Sequence, residues 1–164
     1  MTMLMSARRM YYGWWIVLAA GIIMGWTGGL GYLTFGLLFI PFSDSFGWDR
    51  AEISLAFTLF NLQYVVVSPI TGWIIDRYGP KKSIFYGLIA LSLGYILLSR
   101  IDSLIELYLI FPLVIGLGVH FSDLAPNTAA IAKWFSTKRS LALGIQTGIS
   151  SIVCVIIPVI TALL

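Results

Sequence analysis

Cysteine and histidine each occur once, as Cys154 and His120, and charge is sparse, with ten Lys or Arg and seven Asp or Glu in 164 residues. A single cysteine excludes an intrachain disulfide and a cysteine-based metal cluster. The basic residues are scattered among apolar stretches and form no continuous basic face, so the footprint of a nucleic-acid binder is missing. Walker, dinucleotide and zinc motifs are missing too, and neither a cofactor nor a metal is expected. Ser122 stands beside His120 and Asp123 on neighbouring positions, whereas a triad needs a nucleophile and base brought together from separated ones. The chain is therefore not read as an enzyme.

What the sequence has in abundance is apolar surface. Hydrophobic residues make up 59% and charged residues 10%, with a mean hydropathy of +0.95, against roughly 25% charged in soluble domains. A water-soluble chain of this length has too little interior to hide that surface. The expected solvent is the lipid bilayer. Arg8 and Arg9 ahead of an apolar run resemble a signal peptide, but the run over residues 14–42 is uninterrupted by a small-residue cleavage site and far exceeds a signal core of ~7 to 15 residues. It reads as a retained first span behind an N-terminal segment, residues 1–13.

Five stretches approach the ~20 residues that cross a bilayer, at residues 14–40, 53–75, 83–99, 104–132 and 141–164. They lack the period-2 alternation of barrel strands, and lipid-embedded backbone must satisfy its own hydrogen bonds, so the spans are expected to be helical. The fold class is an all-α integral-membrane bundle of about five helices. With the N-terminus in the cytoplasm, the inner flanks hold Arg8, Arg9, Arg77, Lys81, Lys82, Lys133, Lys138 and Arg139, and the outer loops hold Arg50 and Arg100. This asymmetry obeys the positive-inside rule and sets the expected orientation.

Gly72, Asp76, Arg77, Gly79, Lys81 and Lys82 form the pattern G-x-x-x-D-R-x-G-x-K-K at the inner end of the second span. Gly72 permits close helix approach, Gly79-Pro80 marks a turn, and Asp76 in a last helical turn calls for a cationic or helix-N-terminal partner. A second pattern, WFSTKRSLALGIQTG at Trp134 to Gly148, opens the fifth span with aromatic anchors and cations followed by small residues. It is accompanied by YYGWWIVLAAG at Tyr11 to Gly21 and FGWDRAEIS at Phe46 to Ser54.

The first pattern resembles the loop signature between helices two and three of the major facilitator superfamily. Trp134, Phe135, Lys138, Arg139 and Gly144, with the two accompanying stretches, resemble the monocarboxylate and oxalate/formate carrier branch, bacterial members in particular. The resemblance covers the whole chain and implies the N-terminal part of that fold, in a bacterial inner membrane. It assigns Asp76 and Arg77 to a cytoplasmic gating contact supported by Lys81 and Lys82. It also implies a small organic anion, carried by alternating access. An arginine that many proton-coupled members place ahead of the Gly116 and Gly118 pair is replaced by Phe111-Pro112, and the helix-five pattern of drug antiporters is missing, so drug efflux is disfavoured.

Polar residues inside the spans are the candidates for transport chemistry. His120 and Asp123 are three apart on the fourth span, which on one continuous helix puts them on a shared face. Asp123 lies ten residues inward of Lys133, about 15 Å, near the middle of a core of about 30 Å. Embedded ionisable groups are costly and mark function by default. His120 and Asp123 are therefore candidates to bind a proton or orient a substrate; helix assembly is the alternative for Asp123. Pro126 removes a backbone hydrogen bond that Asn127 or water could replace. By the resemblance, spans one and four line the central cavity, which makes Tyr32 a candidate contact for the anion, interfacial anchoring being its alternative. No basic residue lies deep in any span, so an anionic substrate is an implication of the resemblance alone.

Carriers of this kind have two six-helix halves built from inverted three-helix repeats. The sequence supplies one repeat and most of a second, and the sixth helix and C-terminal half are expected to be missing from it. A complete pathway then requires that half or another subunit. The rival reading is a small membrane accessory or assembly subunit.

Overall fold

The computed structural model describes residues 2–135 and 138–163, with side chains over 12–135, 138–157 and 159–160. Ser136 and Thr137 of the second pattern, and the side chains of Arg8 and Arg9, lie outside the described residues. Five helices are long and apolar enough to cross a membrane: Tyr12–Phe46, Arg50–Tyr78, Pro80–Leu98, Leu104–Ala132 and Arg139–Ile157. No strand occurs among the described residues. The architecture is the all-helical membrane bundle that the apolar runs predict.

Two of the five spans are not single α-helices. The first consists of α1 (Thr2–Gly28), a π-helical segment (Gly29–Leu33) and α2 (Thr34–Phe46). The second is α3 (Arg50–Tyr78) and the third α4 (Pro80–Leu98). The fourth consists of α5 (Leu104–Leu109), a π-helical segment (Ile110–Gly116), α6 (Leu117–Ser122) and α7 (Leu124–Ala132); the fifth is α8 (Arg139–Leu163). The wide π turn is closed by the Thr34 N–H bonding Gly29 O, five residues back. In the first span, Thr34 Oγ1 donates to Gly29 O at 3.1 Å and the Tyr95 hydroxyl of α4 donates to Leu30 O.

The helix ends follow the polar punctuation of the sequence. Asp49 and Glu52 close a capping box at the start of α3, with Asp49 Oδ1 accepting from Arg50 N and Glu52 Oε2 from Asp49 N. At α5, Ser103 Oγ accepts from Glu106 N, and Glu106 Oε2 accepts from Asp102 N. Asp49, Glu52 and Glu106 thus act at helix starts. Gly79 adopts φ +85°, ψ 157° between α3 and α4, a backbone that side-chain-bearing residues rarely take, and Pro80 follows at the first position of α4.

Glycines bring the spans into contact in two pairs. A Cβ built on Gly21, Gly25 or Gly29 of the first span would meet Ile149, Ser150 O with Val153, or Ile157 of α8 at 2.6 to 2.9 Å. Spacing by four puts these glycines on one face, where backbones approach closely and dispersion contacts multiply. Between α4 and the fourth span, a Cβ on Gly118 would lie 2.5 Å from Leu91 N and 2.9 Å from Gly87 O. Phe35, Phe60 and Phe111 stack at centroid distances of 4.2 to 5.1 Å in a core that joins spans one, two and four. Val65, Ile105, Ile40 and Ile152 are more than 60% exposed, a surface suited to lipid tails.

The two kinds of glycine position separate cleanly by substitution. Gly25→Ala forces a methyl against Ser150 O and Val153, whereas Gly144 has nothing within 4 Å of its Cβ position. Overpacking of the first kind costs about 1 to 3 kcal/mol, and alanine for an open helical glycine gains up to about 1 kcal/mol. Thermal unfolding in detergent should show a lowered midpoint for Gly25→Ala and an unchanged or raised one for Gly144→Ala. Equal effects would contradict the packing.

Candidate functional site

The fourth span breaks at the residue that carries its carboxylate. α6 ends at Ser122, and Asp123 adopts φ −89°, ψ −136°, outside any helical conformation, before α7 resumes. Pro126 has no N–H to give to Ser122 O, its partner four residues back. That carbonyl instead accepts from Asn127 Nδ2 at 2.6 Å, and the same amide nitrogen donates to Asp123 O at 2.7 Å. The side chain of Asn127 thus replaces the bond that proline removes. The departure lies in ψ of Asp123 while its φ stays close to helical, so the chain changes direction beyond this residue.

The carboxyl group of Asp123 lies near enough to the Tyr32 and Tyr64 hydroxyls and the Cys154 thiol, on spans one, two and five, for its charge to act on them. Tyr32 itself packs edge-on against Phe57 and Phe60, with centroids 6.4 and 5.3 Å away. Tyr64 and Cys154 carry no sequence pattern that singles them out. Only the packing places them beside Asp123.

His120 is 3% exposed, sits edge-on to Tyr64 at a centroid distance of 4.0 Å, and has no hydrogen-bond partner on either ring nitrogen. One helical turn earlier, Gly116 leaves room for the Gln63 amide, whose oxygen would be 2.8 Å from a Cβ built there. Both amide atoms of Gln63 are likewise buried and unpartnered. Leaving such groups unsatisfied costs about 1 to 3 kcal/mol each. His120 on the fourth span and Gln63 on α3 thus bury two unpartnered polar side chains between facing helices, an exception to the usual satisfaction of buried groups. Gln63 was indistinguishable in sequence from amides that merely join helices.

The two sequence patterns lie at helix ends, at the α3–α4 turn and before α8, away from these buried groups. Asp76, Arg77, Lys81 and Lys82 are exposed, and Gly72 has nothing within 4 Å of its Cβ position. The Arg77 guanidinium lies 5.3 Å from the Trp73 ring centroid and 5.7 Å from that of Tyr78, contacts that suit a cation anchored at the lipid boundary. Trp134 packs 5.4 Å from Tyr12, and Phe135 inserts edge-on to Trp14 at 5.3 Å, over Gly13. This aromatic pair docks the connection before α8 onto α1. Lys138, Arg139 and Gly144 are exposed.

A bundle of five long apolar helices, one of them broken at a carboxylate, defines a polytopic membrane protein. The profile of the Major Facilitator Superfamily matches residues 22–164, and the chain belongs to that superfamily. It is 30% identical over 132 residues to the oxalate:formate antiporter of Oxalobacter formigenes, covering 80% of this chain and 31% of that protein. It is 32% identical over 143 residues to monocarboxylate transporter 13 of Rattus norvegicus, covering 85% and 33%, and 27% identical over 135 residues to human monocarboxylate transporter 2, covering 72% and 28%. The chain thus spans about a third of the length of the curated relatives it matches.

The capping role of Asn127 is testable. Asn127→Leu keeps the volume but leaves Ser122 O and Asp123 O without the amide donor, at a cost of about 1 to 3 kcal/mol. Adding Pro126→Ala supplies a backbone N–H, so the double variant should unfold at a higher temperature than Asn127→Leu alone. A double variant no more stable than the single one would refute the replacement of one bond by the other.

Proposed function

We propose that this chain forms the N-terminal part of a secondary transporter for a small organic anion, a monocarboxylate being the leading class, working by alternating access. The observation that carries the reading is His120, a buried imidazole with both nitrogens unpartnered beside the equally unpartnered Gln63. Protonated, His120 is a cation within the spans and would hold a carboxylate; neutral, it would release one. Binding of substrate and proton would then be linked at the same recess, with Asp123 and Tyr32 completing it. The similarity to proteins named for oxalate, formate and monocarboxylates supports the substrate class.

The proposed orientation puts the N-terminus in the cytoplasm of a bacterial cell, supported by eight cations on that side against two on the other. Asp76 and Arg77, backed by Lys81 and Lys82, would act at the inner gate. Exposed small residues, Ser54, Thr58 and Ser68 on α3 and Gly144, Thr147 and Ser151 on α8, fall on open faces. Ser54, Thr58, Thr147 and Ser151 donate to carbonyls of their own helices. Such self-satisfied small faces favour close helix packing and support a second helical half, or another subunit, as the partner that completes the pathway.

Uptake of labelled formate, oxalate and lactate by cells producing the natural polypeptide that contains this sequence tests the reading. Saturable uptake is expected, falling about tenfold in His120→Ala, equivalent to about 1.4 kcal/mol of lost binding, with a shifted pH profile. Full uptake with an unchanged pH profile in both His120→Ala and Asp123→Asn would contradict it. Uptake that belongs to a separate carrier and merely requires this chain would favour the accessory-subunit reading.

A further inference from the structure

The inner end of the bundle carries a groove of about 490 Å³ between the first, third and fourth spans. Its walls are apolar, formed by Ile16, Ala20 and Ile23 of α1, Ile84 of α4 and Ala130 of α7. Its rim is different. Lys81 and Lys133 flank the mouth, and the packed rings of Tyr12 and Trp134 stand beside them. Both lysines are exposed. Asn127 lines the groove fully buried, with Oδ1 unpartnered.

We infer that this groove is a binding site for an anionic phospholipid, with the phosphate held between Lys81 and Lys133 and an acyl chain lying along the apolar walls. The arrangement matches the two halves of such a molecule in the order that the membrane presents them. Tyr and Trp settle at headgroup depth, which fixes the rim at the level of the phosphates. Below it, the aliphatic side chains take hydrocarbon and repel a free, hydrated anion. Basic pockets between membrane helices recognise headgroups by charge, and each lysine near the surface strengthens binding of an anionic lipid about fivefold. A zwitterionic lipid has the same acyl chains but no net charge, so discrimination between the two rests on the lysines. The lipid would tie the turn after α3 to the end of α7, two inner connections otherwise held by a few side chains.

Native mass spectrometry of the whole chain released from detergent, with equal concentrations of phosphatidylglycerol and phosphatidylcholine, tests this. The phosphatidylglycerol adduct should dominate, and its affinity should fall about fivefold in Lys133→Gln and about twentyfold in the Lys81→Gln/Lys133→Gln double variant. Lys82→Gln, at an exposed lysine outside the groove, should leave it unchanged. Retention of phosphatidylcholine adducts in each variant reports that the fold survives. Equal binding of the two lipids by the wild-type chain, as expected if a protein segment fills the groove, would overturn the inference. So would undiminished phosphatidylglycerol preference in the double variant, or competition by millimolar inorganic phosphate that displaces the lipid.

Discussion

The interaction on which the site depends is the pair of hydrogen bonds from Asn127 Nδ2 to the carbonyls of Ser122 and Asp123. A helix interrupted in a membrane exposes backbone groups that lipid cannot satisfy, and non-helical backbone survives there only when protein or water meets the need. Proline at position 126 creates the need and the next side chain meets it. The interruption therefore persists, with Asp123 at the point where the chain changes direction and its charge acting on Tyr32, Tyr64 and Cys154.

Around this broken span the glycine-mediated contacts divide the labour. Close backbone approach of span one to span five and of span three to span four builds a bundle with little help from side-chain hydrogen bonds, as expected where apolar surface gains nothing by leaving lipid for protein. The polar recess at His120 and Gln63 lies between α3 and the fourth span, adjoining the aromatic core that includes Phe60 and Phe111. A prepared recess needs rigid walls, because a loose site would let unpartnered groups relax against each other. The core supplies them.

Much of this was legible in the sequence, for identifiable reasons. Bilayer thickness fixes span length, so apolar runs reveal five helices, and the turn at Gly79-Pro80 follows from backbone preferences of those two residues alone. The compensating role of Asn127 was also readable, because a missing N–H at proline requires a donor nearby. What could not be read was geometry created by tertiary packing. Nothing local distinguishes Gln63, whose amide is buried against Gly116, from Asn61, whose amide donates to Phe57 O of its own helix. Likewise the π segments at Gly29–Leu33 and Ile110–Gly116 shift the helical register, and the break at Asp123 redirects the chain that follows it. Both effects depend on neighbouring spans.

The central claim is that the break presents Asp123 to a water-filled pathway. Its most direct measurement is labelling by a membrane-impermeant thiol reagent of the Asp123→Cys variant in a Cys154→Ser background, in membranes, with Leu113→Cys as the lipid-facing comparison. The account predicts rapid labelling at position 123, slowed by excess monocarboxylate, and none at position 113. An inert Asp123→Cys, or one that labels no faster than Leu113→Cys, would contradict it.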